Sequence, residues 1–322
     1  MRLARALGGA AAAALILFAA AACGSERQTA PPRPTPTPTL EGARPAGSRT
    51  VIDMAGREVR LPERIERVAV TAPAAADYAR ALGLEVVGQP SDIPAAEGAR
   101  PVGSTLNPDF PAIAALAPDL VIGDAAVQGA RIADFDRFTV PVYLVKAADY
   151  LAILDAVERL GEAVGREEEA AALRADLEGR VVAAALAARE RRAAQSSLRV
   201  LVLTGAGRDV FAAGPATYIG NLLSMLGAEN ALANPPEGGP LPGFGVIDPG
   251  AAAQLAPDVV LVLPAGDGGL DTLIRTDPAW AATPAVRSGR VYAIDRVLFL
   301  RAPGPRVAEA METLLGLLWP AR

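Results

Sequence analysis

The sequence predicts an α/β fold: two Rossmann-like lobes with parallel sheets, joined by one long α-helix, with a ligand cleft between the lobes. Three observations carry this reading. A helix, a Pro-Asp break and an apolar strand follow one another twice, as Leu116-Ala117-Pro118-Asp119-Leu120-Val121 and as Leu255-Ala256-Pro257-Asp258-Val259-Val260. Upstream of each copy lie a further strand and a helix that closes on Leu-Gly, at Leu82-Gly83 and at Leu226-Gly227. Between the copies, residues 166–192 are dense in Ala, Glu, Leu and Arg, with no proline and one glycine, Gly179.

Each element follows from local chemistry. Residues 1–22 read as a lipoprotein signal peptide. Arg2 and Arg5 precede an apolar run over residues 6–22, and Ala20-Ala21-Ala22 place small side chains before Cys23, the lipidated residue. The alternative is an uncleaved signal anchor, for which the run is at the short end; in both cases the rest of the chain lies outside the cytoplasm. Residues 23–49 form a tether, because Pro34-Thr35-Pro36-Thr37-Pro38-Thr39 favours polyproline II and cannot build a core. The first lobe spans residues 50–165. It opens with a hairpin turning at Gly56, then the strand Arg67-Val68-Ala69-Val70, a helix over residues 74–82, and the first helix-to-strand unit. Residues 166–193 form the connecting helix. Glu167-Glu168-Glu169 at its start and Arg189, Arg191 and Arg192 at its end complement the helix dipole. The second lobe spans residues 194–322. Short apolar strands alternating with helices imply sheets covered on both faces.

Composition excludes several function classes. The chain has no histidine, so it carries no Ser-His-Asp triad, no Cys-His pair and no His-ligated metal. Cys23 is the one cysteine, so no intrachain disulfide forms. A net charge of −5 without a basic stripe argues against nucleic acid. No catalytic residue, resident metal site or cofactor is read from the sequence, and the chain is expected to be a monomer.

Ligands of α/β sheets sit outside the carboxyl ends of the strands. The loops expected to line the cleft are therefore 71–77, 123–131, 204–214, 264–269 and 299–305. Within them, the guanidinium of Arg301 is a candidate fork for a ligand carboxylate. Arg131 and Arg208 sit on equivalent loops, and Phe211 and Phe244 are candidate apolar walls. Tyr143, Tyr150, Tyr218 and Tyr292 could serve as phenolate ligands to iron, but core packing is the stronger reading for each.

The order and spacing of several pieces resemble the substrate-binding proteins of ABC importers for iron-siderophores, haem and cobalamin, the class with a helical backbone between its lobes. These pieces are Asp53-Met54-Ala55-Gly56-Arg57, Gly214-Pro215, Asp277-Pro278-Ala279-Trp280, Gly289-Arg290-Val291-Tyr292 and Gly304-Pro305-Arg306, together with the repeated Pro-Asp breaks. The resemblance covers residues 50–320. It implies a rigid clamp that captures a small-molecule metal chelate or corrinoid and delivers it to an ABC permease from the extracytoplasmic face of the membrane. It places Phe211, Phe244 and Arg301 against the ligand. It also puts Asp92 or Ile93, Thr105 and Asp124 where cobalamin-type members carry first-lobe aromatics. Many members dock through one Glu per lobe; here those positions are Pro111 and Gly250, and Asp109 and Asp248, two residues earlier in each lobe, are the candidate replacements. A lipoprotein sensor that signals to a membrane partner is the alternative function.

Overall fold

Five parallel strands make the first sheet, in the spatial order Arg100–Pro101, Glu85–Gln89, Arg67–Val70, Leu120–Asp124 and Val142–Val145. They belong to a computed structural model that describes residues 47–135, 138–192, 197–206, 209–234, 238–239, 241–266 and 268–321. These lie in one compact unit, Pro45–Arg322; the expected signal peptide, Cys23 and most of the expected tether fall outside the described residues. Every residue of Leu120–Asp124 is buried, as a central strand covered on both faces requires.

The hairpin forms as the sequence predicts. Ser48–Ile52 pairs antiparallel with Glu58–Pro62, with Val51 opposite Val59. Its turn needs Gly56 at φ 82°. Asp53, 1% exposed, organises that turn by accepting from the N–H groups of Ala55 and Arg57 at 2.9 Å each and from Arg57 Nη2 at 2.7 Å. The same carboxylate accepts from the Leu144 N–H at 3.2 Å. This docks the hairpin on the edge strand of the first sheet.

The second sheet contains Phe244–Val246, Asp209–Ala213, Arg199–Ala206, Val259–Pro264 and Val291–Ala293 in that order, with Glu229–Asn230 paired to Arg199–Ala206. Its central and far strands are parallel, as expected. The stretch 204–214, expected as a cleft loop, instead turns back as the antiparallel strand Asp209–Ala213, and Phe244–Val246 adds antiparallel beyond it. Gly205, at φ 131°, permits the tight return, since a Cβ there would lie 2.0 Å from the Asp209 carbonyl oxygen.

The two Pro-Asp units fold as copies of one clasp. Asp119 Oδ2 accepts from the Arg67 N–H at 2.9 Å, and Asp258 Oδ2 accepts from the Arg199 N–H at 2.8 Å. In return, Arg67 donates to the carbonyl oxygens of Leu116 and Ala117, and Arg199 to that of Leu255, capping the preceding helix ends. Among the described residues, the two non-glycine residues with positive φ are Ala117 and Ala256, at 45° and 46°, the same position of each clasp.

The connecting helix runs from Glu167 to Arg192, 26 residues and about 39 Å long. Ala170, Leu177, Val181, Ala184 and Ala188 are its buried stripe. It packs against Tyr150–Val164 of the first lobe, a helix the sequence did not single out, and against Val307–Leu318 of the second. Arg174 pairs with Glu158 at 3.0 Å, and Arg180 forks onto Glu312 with two contacts of 2.9 Å. Arg191 and Arg192 then hold the carbonyl oxygens of Trp319 and Gly227. One apolar cluster runs through both lobes and this helix, and includes Val70, Leu120, Ile122, Leu177, Val202 and Leu314.

Candidate functional site

At the carboxyl ends of their strands the two lobes share a polar contact beside the apolar cluster that runs through both. Arg301 ends the five-residue helical turn Val297–Arg301. Leu298 and Phe299, both buried, anchor that turn, and Asp295 Oδ1 caps it by accepting from the Val297 N–H at 2.7 Å. The guanidinium therefore leaves the second lobe in a set direction. It reaches the first lobe, where Nη2 donates to Asp92 Oδ2 at 2.5 Å and to Thr105 Oγ1 at 3.1 Å, and Nη1 to the Asp92 carbonyl oxygen at 3.3 Å.

Asp92 and Thr105 form a prepared receptor. The Thr105 N–H and hydroxyl both donate to Asp92 Oδ1, at 2.8 and 3.0 Å. Burial alone would raise the Asp92 carboxyl, but the Thr105 N–H, the Arg301 guanidinium and the Thr105 hydroxyl hold it below the usual value. Beneath them lies Gln128, 1% exposed. Its amide donates to the carbonyl oxygens of Thr71 at 2.7 Å and Thr105 at 3.3 Å, while its oxygen accepts from the Asp124 N–H at 2.7 Å. One buried side chain thus ties the ends of two strands to the Thr105 turn.

Asp124 is 4% exposed and caps the short helix Ala125–Gln128, accepting from the Ala126 N–H at 2.7 Å. Burial raises its carboxyl, and the backbone donors of Ala126 and Val127 offset only part of that. On the second lobe a further guanidinium, Arg296, lies near Arg301. Burial lowers its pKa, and the Arg301 charge lowers it further. Its Nε is buried without a hydrogen-bond acceptor.

The remaining candidates separate. Arg131 is engaged within the first lobe, to Asp134 at 2.9 Å and to the Leu106 carbonyl oxygen at 2.9 Å. Phe211 and Phe244 lie on paired antiparallel strands, which corrects their placement on loops. Phe244 is 6% exposed within the core, and Phe211 packs partly against the same cluster. Arg208 lies outside the described residues. Asp109 and Asp248 are both exposed and cap equivalent helices, Phe110–Ala115 and Pro249–Gln254.

Sequence reasoning missed Gln128 and Arg296. Gln128 is a lone amide in a short segment, and nothing local marks it as buried. Arg296 gains meaning only beside Arg301. Tyr78, Tyr143 and Tyr218 are buried, and burial pushes all three phenols up, while Tyr150 and Tyr292 are half-buried. A cavity of about 330 Å3 lies elsewhere, at the amino end of Val142–Val145, lined by Arg57, Arg60, Phe135 and Phe138.

Comparison with known proteins agrees with this architecture. The family model for periplasmic binding proteins matches residues 68–298. YhfQ of Bacillus subtilis (strain 168), named as an ABC transporter substrate-binding lipoprotein, is 23% identical over 265 residues, which cover 75% of this chain and 80% of YhfQ. The crystal structure of a periplasmic haem-binding protein from Pseudomonas aeruginosa superposes with a TM-score of 0.68 at 25% identity, covering 80% of this chain and 94% of that one. Staphylococcus aureus SirA, complexed with staphyloferrin B, gives 0.67 at 19% identity, covering 84% and 98%.

Proposed function

Because the chain belongs to the periplasmic binding protein family, we propose that it is the lipid-anchored substrate-binding protein of an ABC importer, capturing an iron chelate and passing it to a permease. The observation that carries this reading is the polar contact of Arg301 with Asp92 and Thr105. It joins the lobes where α/β folds bind ligands, and it presents a guanidinium fork suited to a carboxylate. The anchor rests on Cys23 and the small residues before it.

The mechanism needs no bond chemistry. A chelate enters between the lobes, its anionic edge engages Arg301, and the lobes settle around it. The connecting helix limits their motion, because bending it would strain the packed stripe from Ala170 to Ala188. The chemistry favours a chelate whose iron is already saturated by its own donors, since the chain has no imidazole and three of its five tyrosines are buried. The Pseudomonas haem-binding relative supports haem as the second cargo to test.

Absorbance and native mass spectrometry of protein purified from its own host test the reading. A ferric charge-transfer band or a Soret band, with a matching adduct mass, is the expected result, and corrin bands would redirect the ligand class. Failure to retain or bind haemin, ferric citrate and cobalamin would overturn it.

A further inference from the structure

We propose that Asp92 is an internal stand-in for the anionic group of the ligand: it occupies Arg301 across the cleft in the ligand-free protein and must be displaced when an anionic chelate binds. This rests on the reading of the chain as a chelate-binding protein and adds to it a residue that sets ligand charge.

The argument starts from how Asp92 is held. Its two oxygens divide the work. Oδ1 takes both Thr105 donors, while Oδ2 takes Arg301 from the opposite lobe. When Arg301 leaves, Oδ1 keeps its two partners and Oδ2 turns to solvent, to which the side chain is already 38% exposed. Release therefore strands no buried charge, the usual reason that breaking an ion pair is costly. Thr105 stays in place because Gln128 holds its carbonyl oxygen from below.

The exchange also balances on the second lobe. Arg301 trades one carboxylate for another. Arg296 forms no ion pair among the described residues, and its Nε is buried without an acceptor, so the second lobe holds no carboxylate of its own to replace Asp92 there. A neutral ligand offers Arg301 only uncharged acceptors, which replace the Asp92 carboxylate at a loss. The pair thus selects by charge, through an attractive site already filled by a competitor.

The test uses the full chain with donor and acceptor dyes at Glu97→Cys and Gln254→Cys, exposed sites on opposite lobes, in a Cys23→Ser background. Without ligand, Asp92→Asn and Arg301→Gln should lower energy transfer, and the swap Asp92→Arg with Arg301→Asp should restore it. With ferric citrate as the probe, Asp92→Asn should bind about 3- to 10-fold tighter than the parent, the scale of a partly exposed charged pair, while Arg301→Gln should lose binding. Unchanged transfer and unchanged affinity in Asp92→Asn overturn the stand-in role while leaving chelate binding intact. Altered transfer in a protein that binds neither ferric citrate nor haemin instead supports the latch and sinks the chelate reading.

Discussion

Gly161 and Ala170 offer a direct test of how the first lobe is fastened to the connecting helix. A Cβ at Gly161 would lie 2.3 Å from the Ala170 Cβ and 3.1 Å from the Arg166 carbonyl oxygen. Ordinary contacts begin near 3.4 Å, so Gly161→Ala forces a displacement of roughly 1 Å between two packed helices, with an overpacking cost of about 1–3 kcal/mol. Helix propensity opposes this by about 1 kcal/mol in favour of alanine. The single substitution is therefore expected to range from neutral to about 2 kcal/mol destabilising, and its value alone decides little. Ala170→Gly removes the obstructing methyl and loses about 1 kcal/mol of propensity. In the double variant the methyl moves from one helix to the other. The propensity terms cancel in the double-mutant cycle, leaving a favourable coupling of about 1–3 kcal/mol. Equilibrium urea unfolding of the four proteins, followed by far-UV circular dichroism, measures it. Additivity within about 0.5 kcal/mol would refute the close approach of these helices.

Three further outcomes follow from the same geometry. Ala117→Gly and Ala256→Gly should each stabilise the fold by about 0.5–1 kcal/mol, because the αL penalty of alanine exceeds the extra unfolded-state entropy of glycine; urea midpoints that fall in either variant would contradict this. Asp109→Asn with Asp248→Asn keeps both helix caps but removes both charges, so permease binding at low salt should weaken while the unfolding midpoint holds, and unchanged binding would remove these residues from docking. Burial pushes the Tyr143 phenol up to about 12, with Arg159 partly opposing it. Its folded pKa lies above the unfolded value of about 10, so this contribution is complete below about pH 10 and is lost as pH rises towards about 12; Tyr143→Phe should flatten stability over that window, as urea unfolding at stepped pH would show.

What could be read from the sequence was local. The hairpin turn at Gly56, the strand at Arg67–Val70, the duplicated Pro-Asp breaks and the charge-graded connecting helix all announce themselves through turn chemistry, period and end charges over a few neighbouring residues. Arg301 and Thr105 were named as candidates, but what they meet was not legible, because 196 residues separate them and no local pattern encodes their contact. That Asp109 and Asp248 cap helices was equally hidden, since a capping carboxylate and a docking carboxylate look alike in sequence. Phe211 and Phe244 were misplaced on loops because strand pairing depends on a partner: Asp209–Ala213 is a strand through its pairing with Arg199–Ala206, and Phe244–Val246 through its pairing with Asp209–Ala213. The two-lobed α/β plan is written in short-range propensity and burial period, which the linear chain already carries. That Asp92 faces Arg301, that Gln128 ties the first-lobe loops together and that Gly161 admits the connecting helix became fixed only on folding. Those contacts depend on how separately specified elements fit in space, where a few tenths of an ångström and the sign of one charge settle the outcome.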